Sequence, residues 1–131
     1  MPRLMSLALC VPLALLAPSA QSHDPEYPAL FHLEVKDAPV ENGKVLNMEF
    51  SETARTDAHS TVLVTRRSGG SVSSSMFVLR GMCGLTRARD KQNFLPQAMP
   101  NQPGGYLVTF PDVAPPKDKG FSMAQCKLID Y

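Results

Sequence analysis

The sequence predicts a mainly β domain with one disulfide, built as an antiparallel β-sandwich or a partly closed barrel of about six strands. Three observations support this fold class: alternation of apolar and polar residues in short segments, Gly and Pro between those segments, and two cysteines after an apolar N-terminus. The alternative is an α+β arrangement with one short C-terminal helix, because Ser122-x-x-Gln125 fits a capping box. No long helical periodicity is evident.

Residues 1–22 have the three parts of a secretory signal peptide. Arg3 supplies positive charge, residues 4–16 are mostly apolar, and small residues follow. This apolar stretch is too short to span a bilayer, which takes about 20 residues. We therefore expect cleavage between residues 19 and 22. Residues 23–131 are then one exported domain, periplasmic or extracellular, without a membrane span.

The first two predicted strands form a hairpin. Apolar and polar residues alternate over residues 31–36 and again over 46–51, as in strands with one buried face. Asn42-Gly43 lies between them and is a strong turn signal. We expect these two segments to pair.

A second hairpin is predicted from residues 61–66 and 75–80. Gly69-Gly70 between them can supply the positive φ that a tight turn needs. Both faces of the segment 75–80 are apolar, which indicates a central strand.

The C-terminal part of the chain is richer in loops. Prolines and glycines over residues 97–105 predict a loop, and residues 106–110 predict a strand that ends at Pro111. After that, a helical turn before Cys126 and a strand over residues 127–129 are alternatives.

Removal of the signal leaves two cysteines, Cys83 and Cys126. In an oxidising compartment they are most simply interpreted as one disulfide, and no histidine lies beside them to complete a metal site. In the chain-entropy model, a disulfide closing a loop of this length stabilises a fold by about 4 kcal/mol.

Charge supplies the main functional indication. Residues 21–57 contain eight acidic and three basic residues, whereas residues 58–131 contain nine basic and four acidic residues. The overall balance disfavours nucleic-acid binding. The basic excess can neutralise the acidic half across one sheet, or it can form a surface for an anionic partner. The candidate partner-binding residues are Arg66, Arg67, Arg80, Arg87, Arg89 and Lys91.

Residues 87–93 are the most promising part of this set. The predicted disulfide tethers them, and a tethered loop loses less entropy when its arginines bind carboxylates or phosphates. The alternative is a segment that only increases solubility. The predicted function is an exported, monomeric binding module of the accessory, inhibitor or surface-antigen type, which contacts a protein or an anionic cell-envelope polymer.

Neither an enzyme nor a cofactor is expected. Asp57, His59 and Ser60 include an acid, a base and a nucleophile, but adjacent residues of an extended chain point in opposite directions. A periplasmic copper-binding protein is the alternative function. Processing would place His23 at or near the new terminus, where amine, amide and imidazole nitrogens suit Cu(II), and His32 or His59 would add a ligand.

Overall fold

The computed structural model describes residues 29–129, so the predicted signal peptide, its cleavage site and His23 lie outside the described residues. The strands are β1 (His32–Pro39), β2 (Val45–Arg55), β3 (His59–Ser68), β4 (Asn93–Ala98), β5 (Gly105–Thr109) and β6 (Phe121–Ser122). They form one antiparallel sheet, in the order β1-β2-β3-β5-β4-β6, which curls into a half-barrel. The helices are α1 (Ser71–Ala88) and α2 (Met123–Lys127), and Glu41–Gly43 form a 3₁₀ turn.

The mainly β class, the partly closed barrel of six strands and the disulfide are confirmed. The first hairpin is also confirmed, because β1 and β2 pair through a turn in which Asn42 and Gly43 have φ values of 58° and 68°. The alternation predicted for β2 is also seen, because Leu46, Met48 and Phe50 face inward and are buried.

The strand predicted over residues 75–80 is wrong, because these residues lie within α1. Ser74, Phe77, Gly81 and Leu85 are buried at intervals of three and four residues, which is the spacing of one helix face. Gly69-Gly70 therefore leads into a helix instead of closing a hairpin. The actual neighbours of β3 are β2 and β5.

The C-terminal alternatives are also resolved. Ser122 begins α2 with a capping box to Gln125, as the sequence pattern predicts. The strand over residues 127–129 is wrong, because Lys127 ends α2 and a turn follows it. The predicted loop over residues 97–105 begins later, since β4 extends to Ala98.

The helix α1 packs closely on the sheet around Gly81. A Cβ atom at position 81 would overlap the ring of Phe50, so glycine permits this close approach of α1 to β2. On another side of α1, Cys83 is joined to Cys126 of α2, and both cysteines are buried. The disulfide therefore holds the short helix α2 against the C-terminal half of α1.

Candidate functional site

A buried carboxylate lies where the hairpin of β2 and β3 meets the end of α1. Glu52 continues the inward alternation of β2, and its side chain has no exposure to solvent. Arg55 binds it with two N–H groups, Nη2 at 2.5 Å from Oε1 and Nε at 3.1 Å from Oε2. The hydroxyl of Ser60 donates to Oε2, and the backbone N–H of Phe31 donates to Oε1. Every side of this carboxylate is thus occupied.

Arg89, which directly follows α1, also binds in this cluster. Its guanidinium lies 3.8 Å from Oε2 of Glu52 and donates to the hydroxyl of Ser60 at 2.9 Å. It also donates to the carbonyl oxygens of Thr56 and Asp57 in the turn between β2 and β3, and to that of His59 at the start of β3. The ring of Phe110 lies 5.1 Å from the guanidinium carbon. The side chain of Arg89 is only 7% exposed, so it lies inside the fold and not on a basic surface.

The charge of Glu52 is stabilised by its partners. Burial by itself raises the pKa of this carboxyl, but hydrogen bonds from Arg55, Ser60 and the N–H of Phe31 outweigh burial and hold the pKa below 4.5. The hydrogen bond with Glu52 likewise raises the pKa of Arg55. Because the carboxylate is charged, buried and fully bonded, the cluster links β2, β3 and α1 structurally.

The acid–base–nucleophile sequence near His59 does not form a triad. The Ser60 hydroxyl is buried and bound to Glu52, while Nδ1 of His59 lies 3.1 Å from the hydroxyl of Thr56. His32 lies on β1 beside Ser51, Glu34 and Glu49. Within residues 29–129, no three His, Cys, Asp or Glu side chains are grouped as metal ligands. The copper hypothesis depends on His23 and stays a prediction.

The predicted partner-binding residues are distributed over several surfaces. Arg66 is exposed and lies opposite Met48 in the β2–β3 register. Arg67 lines a small hollow with Glu34 and Glu49. Arg80 is exposed on α1, beside β1. The structure therefore does not bring the whole set together.

Arg87 and Lys91 are the two predicted residues that share a site. They line a cavity of about 320 Å³ with Lys127 of α2 and with Asp90. The remaining lining residues are Gln92, Met123 and Ala124. We call this site the basic cleft, because the described residues surround it with three cationic side chains and one acidic side chain.

Local backbone structure builds the basic cleft. Asp90 has a φ of 54°, and the N–H groups of Asp90 and Lys91 donate to the carbonyls of Arg87 and Thr86, which is a Schellman ending for α1. The N–H of Met123 then donates to the carbonyl of Gln92 at 2.8 Å. These bonds and the nearby disulfide fix both walls of the cleft.

Two apolar grooves flank the N-terminal half of α1. The β1 groove has a volume of about 420 Å³ and lies between α1 and β1, with Leu33, Val35 and Phe77 in its lining. The β4 groove has a volume of about 320 Å³ and lies between α1 and strands β4 to β6. Its lining is almost wholly apolar and includes the following residues: Val78, Leu79, Met82, Phe94, Pro96, Tyr106 and Phe121. Met76 borders both grooves.

Comparison with models of protein families, with curated proteins and with solved structures finds no match. In the part of the chain that the structure describes, no helix has the length and apolar character needed to cross a bilayer.

Sequence reasoning missed Glu52, its partner Arg55, and Lys127 of the basic cleft. Glu52 follows Phe50 by two positions and so occupies an inward position of β2, and an acid at such a position signals a buried charged partner. Lys127 gave no such signal, because the disulfide and α2 bring it to Lys91 from a distant part of the chain.

Proposed function

We propose that this protein is a non-enzymatic binding module, which recognises an anionic group of another protein or of a cell-envelope polymer through the basic cleft. The single observation that carries the proposal is the charge of this cavity. Arg87, Lys91 and Lys127 line it, and Asp90 is the acidic residue among its lining side chains. Carboxylates and phosphates form their strongest hydrogen bonds with such cationic donors.

The construction of the basic cleft also supports binding. A protein that is already ordered loses little entropy when a ligand binds. The Schellman ending of α1, the bond between Met123 and Gln92 and the disulfide each order the residues around the cleft. A buried disulfide is typical of proteins that work in an oxidising compartment, so we propose that the protein acts outside the cytoplasm.

Titration calorimetry with two polyanions tests this function. Polyglutamate represents an acidic protein segment, and polyphosphate represents an anionic polymer. We expect at least one of them to bind the disulfide-bonded protein, with an affinity that falls as salt is added. The double variant Lys91→Gln/Lys127→Gln should bind at least about tenfold more weakly, a loss of about 1.4 kcal/mol.

A matched control separates the basic cleft from net charge. Lys117 and Lys119 are exposed in the loop before β6, and Lys117→Gln/Lys119→Gln removes the same two charges. This control should keep the affinity of the original protein. Equal weakening by both double variants, or no binding of either polyanion, would contradict the proposed function.

A further inference from the structure

The β1 groove exists because one helix is too narrow to cover the sheet. Neighbouring strands are about 4.8 Å apart, whereas a helix with its side chains is about 10 Å wide. Since Gly81 places α1 directly over Phe50 of β2, the inward side chains of β1 are left beside the helix. Leu33, Val35 and Ala38 are accordingly only partly buried.

The lining that the described residues give the β1 groove is mostly apolar and contains one cation without a partner among them. Leu46 and Phe77 add apolar surface from β2 and α1, and the cavity volume of about 420 Å³ is within the range of small-molecule sites. Arg80 also lines the groove, and it has no hydrogen-bond or ion-pair partner within residues 29–129.

The acid that borders the same groove is already neutralised. Glu34 lines the groove, but its Oε1 lies 3.5 Å from Nζ of Lys36, whose positive charge balances it. The unbalanced charge at the groove is therefore the guanidinium of Arg80. An occupant that complements both features has an apolar chain and one anionic head.

We infer that the β1 groove binds a single-chain anionic amphiphile, namely a free alkyl carboxylate of fatty-acid type. Its chain lies along the apolar side chains of β1 and α1, and its carboxylate accepts hydrogen bonds from Arg80. This site is separate from the basic cleft, so either site can fail its test without affecting the other. Among the described residues, none of those that line the β4 groove is charged, so none can orient such a head group.

Calorimetry of the purified, disulfide-bonded protein with decanoate, decanol and butyrate tests this inference. Decanoate should bind, decanol should bind more weakly, and butyrate, which has too short a chain, should not bind detectably. Arg80→Gln should weaken decanoate binding about tenfold, because it removes a hydrogen bond between two charged groups, and should leave decanol binding unchanged. Met76→Gln should weaken the binding of both ten-carbon ligands, because Met76 borders the groove.

Arg66→Gln is the matched control, since it removes one exposed positive charge that lies away from the β1 groove. It should leave all affinities unchanged. Arg80→Gln exchanges two good helix formers at an exposed position, so thermal unfolding should show that its fold is intact.

Three results would overturn the inference. The first is no binding of decanoate, and the second is equal weakening by Arg80→Gln and Arg66→Gln. The third is binding to phosphatidylglycerol vesicles without any binding of monomeric decanoate, which would assign Arg80 to a membrane surface.

Discussion

The two halves of α1 differ in how they are attached to the rest of the molecule. Residues 81–88 are held by the contact of Gly81 with Phe50 and by the disulfide from Cys83, and Arg89 follows directly in the buried cluster. Ser74 and Phe77 are the buried residues of the segment 71–80, and a groove lies on each side of this segment. Val72, in the same segment, is 67% exposed.

This difference shows how a small domain can keep apolar surface open. We call residues 81–88 the closed half of α1 and residues 71–80 the open half. Exposed apolar surface adds nothing to folding stability, so the closed half must supply the attachment that the open half lacks. Both proposed binding sites border the helix, but the basic cleft lies at its closed end and the β1 groove at its open end. We therefore expect substitutions in the closed half to reduce stability most.

The largest effect is expected from loss of the disulfide. Cys83→Ala/Cys126→Ala opens a loop of 43 residues and should lower the free energy of unfolding by about 4 kcal/mol. Urea denaturation measures this change. Reducing agent should destabilise the original protein to a similar extent and leave the double variant unaffected. A loss below about 1 kcal/mol would mean that α2 is held by other contacts.

Arg89→Met should have the next largest effect. It leaves Glu52 buried with one cation fewer and removes the donor for three backbone carbonyls, so we expect a loss of about 3 kcal/mol in urea denaturation. Arg66→Met removes an exposed arginine and is the control, with an expected change of about 0.5 kcal/mol or less. Equal effects of the two substitutions would contradict the structural role of Arg89.

Gly81→Ala compares the halves of α1 directly. The added methyl group overlaps the Phe50 ring, and forcing extra atoms into a packed core costs about 1–3 kcal/mol. Val72→Ala in the open half should change stability by about 0.5 kcal/mol or less, because Val72 is mostly exposed. Thermal unfolding of both variants measures the contrast. If Gly81→Ala is as stable as the original protein, α1 does not lie as close to β2 as described.

The smallest expected effect is on stability at acid pH, and it comes from Glu41, which binds the first turn of α1. Hydrogen bonds from its own backbone N–H and from that of Ser73 hold the pKa of Glu41 below 4.5. A lowered pKa gives stability that is present above pH 4.5 and is lost as the pH falls through the folded-state value. Glu41→Gln removes this contribution, so its stability should decline less steeply below pH 4.5. Urea denaturation across the acid range measures the slopes.

The pKa of Glu52, which lies on β2 next to Arg89, is also lowered. Its charge should therefore stabilise the protein above pH 4.5, and this contribution should be lost as the pH falls through the folded-state value. The original protein should therefore keep an acid-dependent loss of stability in the Glu41→Gln variant. Identical slopes for the variant and the original protein would show that Glu41 makes no contribution.

The first hairpin could be predicted from the sequence because its signals are local. Alternation defines β1 and β2, and Asn42-Gly43 defines the turn between them. Helix α1 could not be predicted in this way, because Gly70 at its N-cap has no side chain to begin a helix. Instead, the N–H of Ser73 in the first turn donates to the carboxylate of Glu41, which lies 32 residues earlier in the chain.

The candidate site was predictable only in part, for the same reason. Arg87 and Lys91 lie close together in sequence and share the basic cleft, whereas Lys127 reaches it through tertiary structure. Arg89 is exposed or buried according to what surrounds it. Its guanidinium binds carbonyls at the turn between β2 and β3 and packs on the ring of Phe110, and both of these lie far from Arg89 in sequence.

The order of strands in the sheet has a consequence for the folding pathway. Strands β1 to β3 are neighbours both in sequence and in space. Beyond them the order changes, because β5 pairs with β3, β4 pairs with the other side of β5, and β6 lies at the edge. Contacts that join distant parts of a chain form slowly, because a long loop must close first. We therefore expect the meander of β1, β2 and β3 to act as the folding nucleus. Oxidation of the two thiols should then be a late step that joins elements already in place.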